Sequence, residues 1–391
     1  DYVEAMAEML VSREQSRSVR LELEGDCPED LRQLLCDRLG LDAPHVYAVN
    51  GPLDLGAFMP LAFRQGWDRL RDKPWPQQPA MDLPPDYDLF DWLKDHDVFL
   101  HHPYETYDPV VELVENAADD PAVLAIKMTL YRTSSNSPII RALARAAENG
   151  KQVTVVLELK ARFDEGRNLE WTHVLERAGV TVIYGIARLK VHAKALLVVR
   201  EEHDGIVRYA HMGTGNYNDK TAKLYTDMGL MTSRDDLTHE LVLFFNAITG
   251  LSAPPSLRRL SMAPHTLRER FTSLIEREIE QAKVTGTGRI VAKMNSLVDK
   301  DVITALYRAS QAGVEVRLNI RGICCLQAGV EGMSENISVV SVIGRYLEHA
   351  RIFHFHNGGE EEVFLASADW MPRNLNRRVE LMFRSEEHTS E

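Results

Sequence analysis

The sequence predicts an α/β fold: two tandem copies of one α/β domain, preceded by part of a mixed α+β head. Three observations carry that prediction. From about residue 97, runs rich in Val, Leu and Ile alternate with amphipathic stretches, the pattern of strands covered by helices. After residue 289 the same order of elements begins again. Ahead of both, residues 73–86 are dense in proline and read as a linker.

Residues 19–23 alternate as a strand does, and Leu31, Leu34, Leu35 and Leu39 recur at helical spacing across 28–39. In the first copy the pattern predicts a strand over 123–128 and a helix over 138–149 closed by Gly150. Strands over 153–159 and 180–184 follow, then a hairpin of 195–199 with 207–212 around Asp204-Gly205. A charged amphipathic helix is expected over 266–283. The second copy then echoes the first. Residues 290–294 repeat 125–128, and the helix 303–312 with Gly313 repeats the one closed by Gly150. The strand 314–320 repeats 153–159, and each runs into an arginine, Arg321 and Arg162. His349-Ala350-Arg351 repeats His192-Ala193-Lys194, and the hairpin around Asn357-Gly358-Gly359 repeats the one around Asp204-Gly205. Ala366-Ser367-Ala368-Asp369-Trp370 stands where Met212-Gly213-Thr214-Gly215-Asn216-Tyr217 stood. The expected boundaries are 1–82 for the partial head and linker, 83–262 for the first α/β domain and 263–391 for the second.

Composition narrows the function. The 391 residues suit two or three domains, and 45% hydrophobic with 26% charged residues excludes a disordered tail or a collagen-like rod. The net charge of −13, from 45 basic and 58 acidic residues, gives no global field for nucleic acid or an anionic membrane. A polyanion site must then be a local cluster of Arg and Lys. Cys27, Cys36, Cys324 and Cys325 form no CxxC pair and read as reduced thiols of a cytoplasmic protein. No apolar run approaches the ~18 residues that span a bilayer. The first residues, Asp1-Tyr2-Val3-Glu4, show no signal-peptide pattern and no initiator Met, so a fragment is expected.

In a duplicated domain the site is expected between the copies, where equivalent strand ends meet. His192, Lys194, His211, Asn216, His349 and Arg351 are the groups placed there. A single histidine is usually structural; two copies of His-x-Lys/Arg at matching places point to chemistry. Histidine titrates near neutral pH and is a competent nucleophile. A cation two residues along a strand shares its face, ~6–7 Å away by strand rise, and can bind the anion under attack. The pair suits phosphoryl transfer through phosphohistidine, a second histidine protonating the leaving oxygen.

His192-x-Lys194 and His349-x-Arg351 resemble the phospholipase D superfamily. The strings His101-His102-Pro103-Tyr104-Glu105, Ile126-Lys127-Met128-Thr129-Leu130-Tyr131-Arg132-Thr133 and Glu158-Leu159-Lys160-Ala161-Arg162-Phe163-Asp164-Glu165 are more specific. With His211-Met212-Gly213-Thr214-Gly215-Asn216-Tyr217-Asn218 and Ser367-Ala368-Asp369-Trp370-Met371, they resemble the bacterial polyphosphate kinase family over roughly residues 15–383. The resemblance implies two phospholipase D-like domains and reversible transfer of the ATP γ-phosphate to polyphosphate through a phosphohistidine, with Mg²⁺. It implies His192 as nucleophile, His211 as its support and His349 as general acid. It implies Tyr225, Arg321, His349, Lys194 and Arg351 as ATP or phosphate contacts. Arg132 and Arg162 fall in the magnesium–phosphate region. A guanidinium has no lone pair for a metal, so both read as phosphate clamps.

The superfamily's aspartate after the lysine is missing: Ala195-Leu196-Leu197-Val198-Val199 follows Lys194, which disfavours a phospholipase D-type phosphodiesterase, the first rival. The second rival is a catalytically impaired polyphosphate-binding fragment, since the family's N-terminal helical domain is not in the chain and residues 384–391 do not resemble the family. A homo-oligomer in the full-length form and peripheral membrane association are also implied by the resemblance; a nucleic-acid partner is not.

Overall fold

The computed structural model describes residues 17–73, 75–134, 136–158, 165–185, 189–250, 252–253 and 255–385. Arg162 and residues 386–391 lie outside the described residues. The chain divides into two compact units, Asp1–Trp75 and Pro76–Glu391. The first holds a parallel pair of strands, Leu21–Glu24 and Val46–Val49, joined through the helix Glu29–Leu39. That helix stops at Gly40, whose φ of +62° is open to glycine at little cost.

The second unit holds two sheets of eight strands with the same plan. In each, a Val/Ile-rich strand is the hub: Val123–Leu130 in the first sheet and Arg289–Met294 in the second. Each hub pairs in parallel with the strand after its crossover helix, Gln152–Leu157 or Glu315–Ile320. The helices Pro138–Glu148 and Lys300–Gln311 make those crossovers. Their N-caps, Ser137 and Asp299, accept from Ile140 N and Val302 N. On its other side each hub meets a hairpin: Ala195–Glu202 with Gly205–Gly213, and Ile352–Phe355 with Glu362–Ala366. The last strands, Tyr225–Thr232 and Arg378–Ser385, complete the match.

The sheets are not independent. Leu347–Glu348, of the second half, pairs in parallel with Tyr225–Thr226 of the first sheet. Lys190–Val191, of the first half, pairs in parallel with Arg378–Val379 of the second. Each half thus lends the two residues before its His-x-Lys/Arg motif to the other half's last strand. The core follows the exchange. Val191, Leu197, Phe244 and Phe245 pack in one cluster with Leu365, Val379, Leu381 and Phe383. At roughly 1.5–3 kcal/mol for each large apolar side chain buried, that cluster holds the halves together. The second half has its own core around Phe271, Phe353 and Trp370, with ring centroids 4.7 to 5.5 Å apart. Among the described residues no helix is long and apolar enough to cross a membrane.

Candidate active site

The strand exchange sets the site. Register aligns Val191 with Val379, and the amides of His192 and Ala193 both donate to the Val379 carbonyl at 2.9 Å. His192 therefore falls opposite the next residue of that strand, Glu380, and its Nδ1 lies 2.8 Å from Glu380 Oε2. The other crossing is equivalent. Register aligns Glu348 with Thr226, and His349 Nδ1 lies 2.8 Å from Asp227 Oδ2. Each motif histidine is held by an acid of the opposite half. Each acid is in turn held by a hydroxyl at the matching place: Thr214 donates to Asp227 at 2.7 Å, and Ser367 donates to Glu380. Glu380 receives a third donor, Asn374 Nδ2, at 2.6 Å.

Neither acid stood out in the sequence. No acid follows Lys194 in its own strand; Asp227 and Glu380 bring carboxylates to the histidines from elsewhere in the fold. Both lie in apolar strands with no local signal, and Glu380 is 188 residues from its histidine. Their shared place, third in the last strand of each repeat, was the signal available.

Burial governs the electrostatics. His192 is driven well below the ordinary histidine value by desolvation, then by Lys194, Arg378 and Arg351. It rests as a neutral ring with Nδ1–H donated to Glu380, which leaves the Nε2 lone pair available. Burial lowers Lys194 to about 7 and raises Glu380 to about 7. His349 is also lowered, chiefly by burial, against the pull of Asp227. Burial alone would raise Asp227; the His349 ring and the bonds from His349 and Thr214 outweigh it and keep it ionised.

The motif cations are built in. Lys194 is buried and donates to the His192 carbonyl, with its Nζ 5.6 Å from the Tyr131 ring centre. Tyr131 also meets His192 edge-on at 5.0 Å. Arg351 pairs with Asp369 at 3.3 Å and donates to the His349 carbonyl at 2.9 Å. Asp369 thus holds the arginine, not a histidine. Arg132 sits just past the hub strand, its guanidinium 5.8 Å from the Tyr131 ring centre. Tyr225 and Arg321 line one cleft of 620 Å³ with Leu224, Val342, Arg345 and Tyr346, and Tyr225 lies 5.3 Å from the His349 ring. That volume and its apolar lip suit a ligand of nucleotide size.

Two expected members of the site are elsewhere. The His211 ring bonds to Tyr217 at 2.9 Å, not to His192, and lines a small cavity with Asp227, so it stands behind the His349 acid. Asn216 lines the same cavity. The loop Gly213-Thr214-Gly215 spends its amides within the fold. The Gly213 and Thr214 amides already donate to Lys194 and Met228 carbonyls. Its glycine provides clearance: a Cβ on Gly215 would come within 2.6 Å of the Asp227 carboxylate. The flanking lysines differ too, Lys293 pairing with Glu348 at 2.8 Å and Lys127 donating to the Asn246 amide.

Comparison with known proteins identifies the family. Family models match end to end: "Polyphosphate kinase middle domain" over residues 1–61, "C-terminal domain 1" over 88–254 and "C-terminal domain 2" over 260–391. A polyphosphate kinase of Rhodopirellula baltica is 52% identical over 98% of this chain and 45% of its own length. One from Halalkalibacterium halodurans is 50% identical over 98% of this chain and 55% of its own. The chain therefore spans about half the length of the curated relatives it matches. The crystal structure of a polyphosphate kinase from Porphyromonas gingivalis superposes with a TM-score of 0.85 at 40% identity, covering 95% of this chain and 56% of that one. A phosphatidylserine synthase of Haemophilus influenzae, 10% identical with a TM-score of 0.51, shares the phospholipase D-like fold alone. Three successive family domains and half of all positions shared with such relatives lead to one conclusion: the chain belongs to the polyphosphate kinase family.

Proposed function

We propose that this chain carries the phosphotransfer centre of an ATP:polyphosphate phosphotransferase, with His192 as the group that accepts phosphorus. The observation that supports it most is the pair of neutral histidines, each anchored through Nδ1 to an acid of the opposite half, beside a cleft lined by Tyr225 and Arg321. His192 Nε2 bonds to the γ-phosphorus while the bond from that phosphorus to the bridging oxygen breaks, and the electron pair leaves with ADP. A terminal oxygen of polyphosphate then attacks phospho-His192, regenerates the free ring and lengthens the polymer by one unit. The same groups serve the reverse direction.

His349 serves as the general acid in this scheme. Its ring rests neutral, so the proton it donates arrives with the substrate: the anionic triphosphate offsets the burial that lowers it. Lys194, Arg351, Arg321 and Arg132 neutralise the phosphate oxygens, a contribution of several kcal/mol for a well-placed cation. Arg162 is given the same part on the resemblance alone. Among the described residues no group of three His, Cys, Asp or Glu is set to hold a metal. Mg²⁺ fits this site as an ion carried on phosphate oxygens and water, where it would screen charge between phosphates.

The test is location of an acid-labile phosphate by mass spectrometry after incubation with ATP and Mg²⁺. Label on His192 from γ-labelled but not α-labelled ATP is expected, and His192→Ala abolishes it. Label on His211 or His349 instead overturns the role assignment. Hydrolysis of a phosphodiester with no transfer from ATP overturns the kinase reading.

A further inference from the structure

The two acid–histidine pairs match except behind the acid. Glu380 has Asn374 donating to its outer oxygen, Oε1. Asp227 takes Thr214 and His349 on Oδ1 but only His349 on Oδ2, and no side chain stands in the place of Asn374. A cavity lies there instead, lined by His102, Tyr107, His211, Gly213, Gly229 and Asp227 among others. It offers 10 Å³ to the centre of a water molecule, about one water's worth.

Four buried polar atoms on this wall have no partner: His102 Nε2, Tyr107 Oη, His211 Nε2 and Asn216 Oδ1. Each would cost ~1–3 kcal/mol left that way. The protonation of both rings follows from their other nitrogen. His102 Nδ1 faces the Glu105 carbonyl at 3.2 Å and must carry hydrogen. The Tyr217 hydroxyl donates to the His211 carbonyl, so His211 Nδ1 carries hydrogen toward the phenol oxygen. Both Nε2 atoms are therefore acceptors. The space is also reserved by sequence: a Cβ on Gly229 would lie 2.5 Å from His211 Nε2. Register puts His102 directly opposite Asp227.

We propose that this cavity binds one water molecule, which takes the part of Asn374 and, with His102, Tyr107 and His211 as positioning residues, anchors Asp227 from behind. Tyr107 donates to the water, whose two hydrogens go to Asp227 and to one of the Nε2 atoms. By donating to Asp227 the network limits how strongly that carboxylate holds the His349 proton, and so tunes the general acid. The inference rests on the assignment of His349 to that role. His349 also faces Arg351, Tyr225, Lys194, His192 and, farther off, Asp369, none of which the test alters.

The test is histidine ¹⁵N NMR titration of the full chain, which needs no turnover. Unsubstituted protein is expected to show His211 neutral from pH 5.5 to 8, both rings protonated on Nδ1, and the shift of a hydrogen-bonded acceptor at one Nε2 at least. Tyr107→Phe removes one hydrogen from the network and is expected to raise the His349 titration midpoint by about half a unit or more, a threefold change in proton affinity. A ring protonated on Nε2, free-acceptor shifts at both rings, or an unmoved His349 midpoint in Tyr107→Phe overturns the proposal. Failure to label His192 from ATP would count against the phosphotransfer reading and leave these titrations standing.

Discussion

Glu380→Gln is nearly isosteric, yet it changes what His192 can do. In its ionised form the carboxylate accepts only, so it fixes hydrogen on Nδ1 and the lone pair on Nε2. An amide NH₂ facing Nδ1 favours the other tautomer, with Nε2 blocked. By analogy with the orienting aspartate of catalytic triads, the initial rate of acid-labile labelling is expected to fall on the order of 10³–10⁴-fold. Rapid-quench labelling measures it, with circular dichroism to show the fold intact; a loss under tenfold would mean Glu380 does not set the tautomer. The histidines and their cations were legible in the sequence because they repeat. The acids were not, since each is a lone carboxylate in an apolar strand whose partner is fixed only by tertiary pairing. At Gly215 the chain needs room beside Asp227, a requirement that only the folded site reveals.

At the scale of elements, the long pieces were readable and the decisive short ones were not. The hub strands, crossover helices and hairpins carry enough periodicity to show both themselves and their repetition. Lys190–Val191 and Leu347–Glu348 have two residues each, too few for any period. Their sheet partners are in the other half, so their role is a property of the fold. They nonetheless aim both histidines. The Leu347 amide donates to the Leu224 carbonyl at 3.0 Å. Leu347→Pro deletes that donor two residues ahead of His349, fixes φ and removes a ladder bond from the exchanged strand. It is expected to cut chain elongation at least tenfold while far-UV dichroism stays native. Elongation within twofold of the parent would show that the exchanged strand does not position His349.

For the molecule as a whole, the site stores a pH dependence of stability. His102, His192, His211 and His349 are buried and lowered below the ordinary histidine value of 6.5, His211 to about 3. The unfolded chain takes up protons at these rings near pH 6.5 while the native chain does not, so the unfolded state binds more protons and stability falls as pH drops below that value. At pH 5 a ring that stays neutral costs about 2 kcal/mol relative to pH 7. Glu380, raised to about 7 from 4.5, works the other way: the folded chain binds its proton first, which offsets roughly one histidine on acidification. His192 and His211 alone outweigh that single offset, so acidification lowers stability. Urea unfolding of the second unit, followed by tryptophan fluorescence, is expected to move to a clearly lower midpoint between pH 7 and pH 5. His211→Gln, which removes one titrating ring but keeps a polar group in the cavity, should flatten that dependence by about 2 kcal/mol. A midpoint equal at both pH values would mean these rings are not held neutral, and the lone pair assigned to His192 would lose its physical basis.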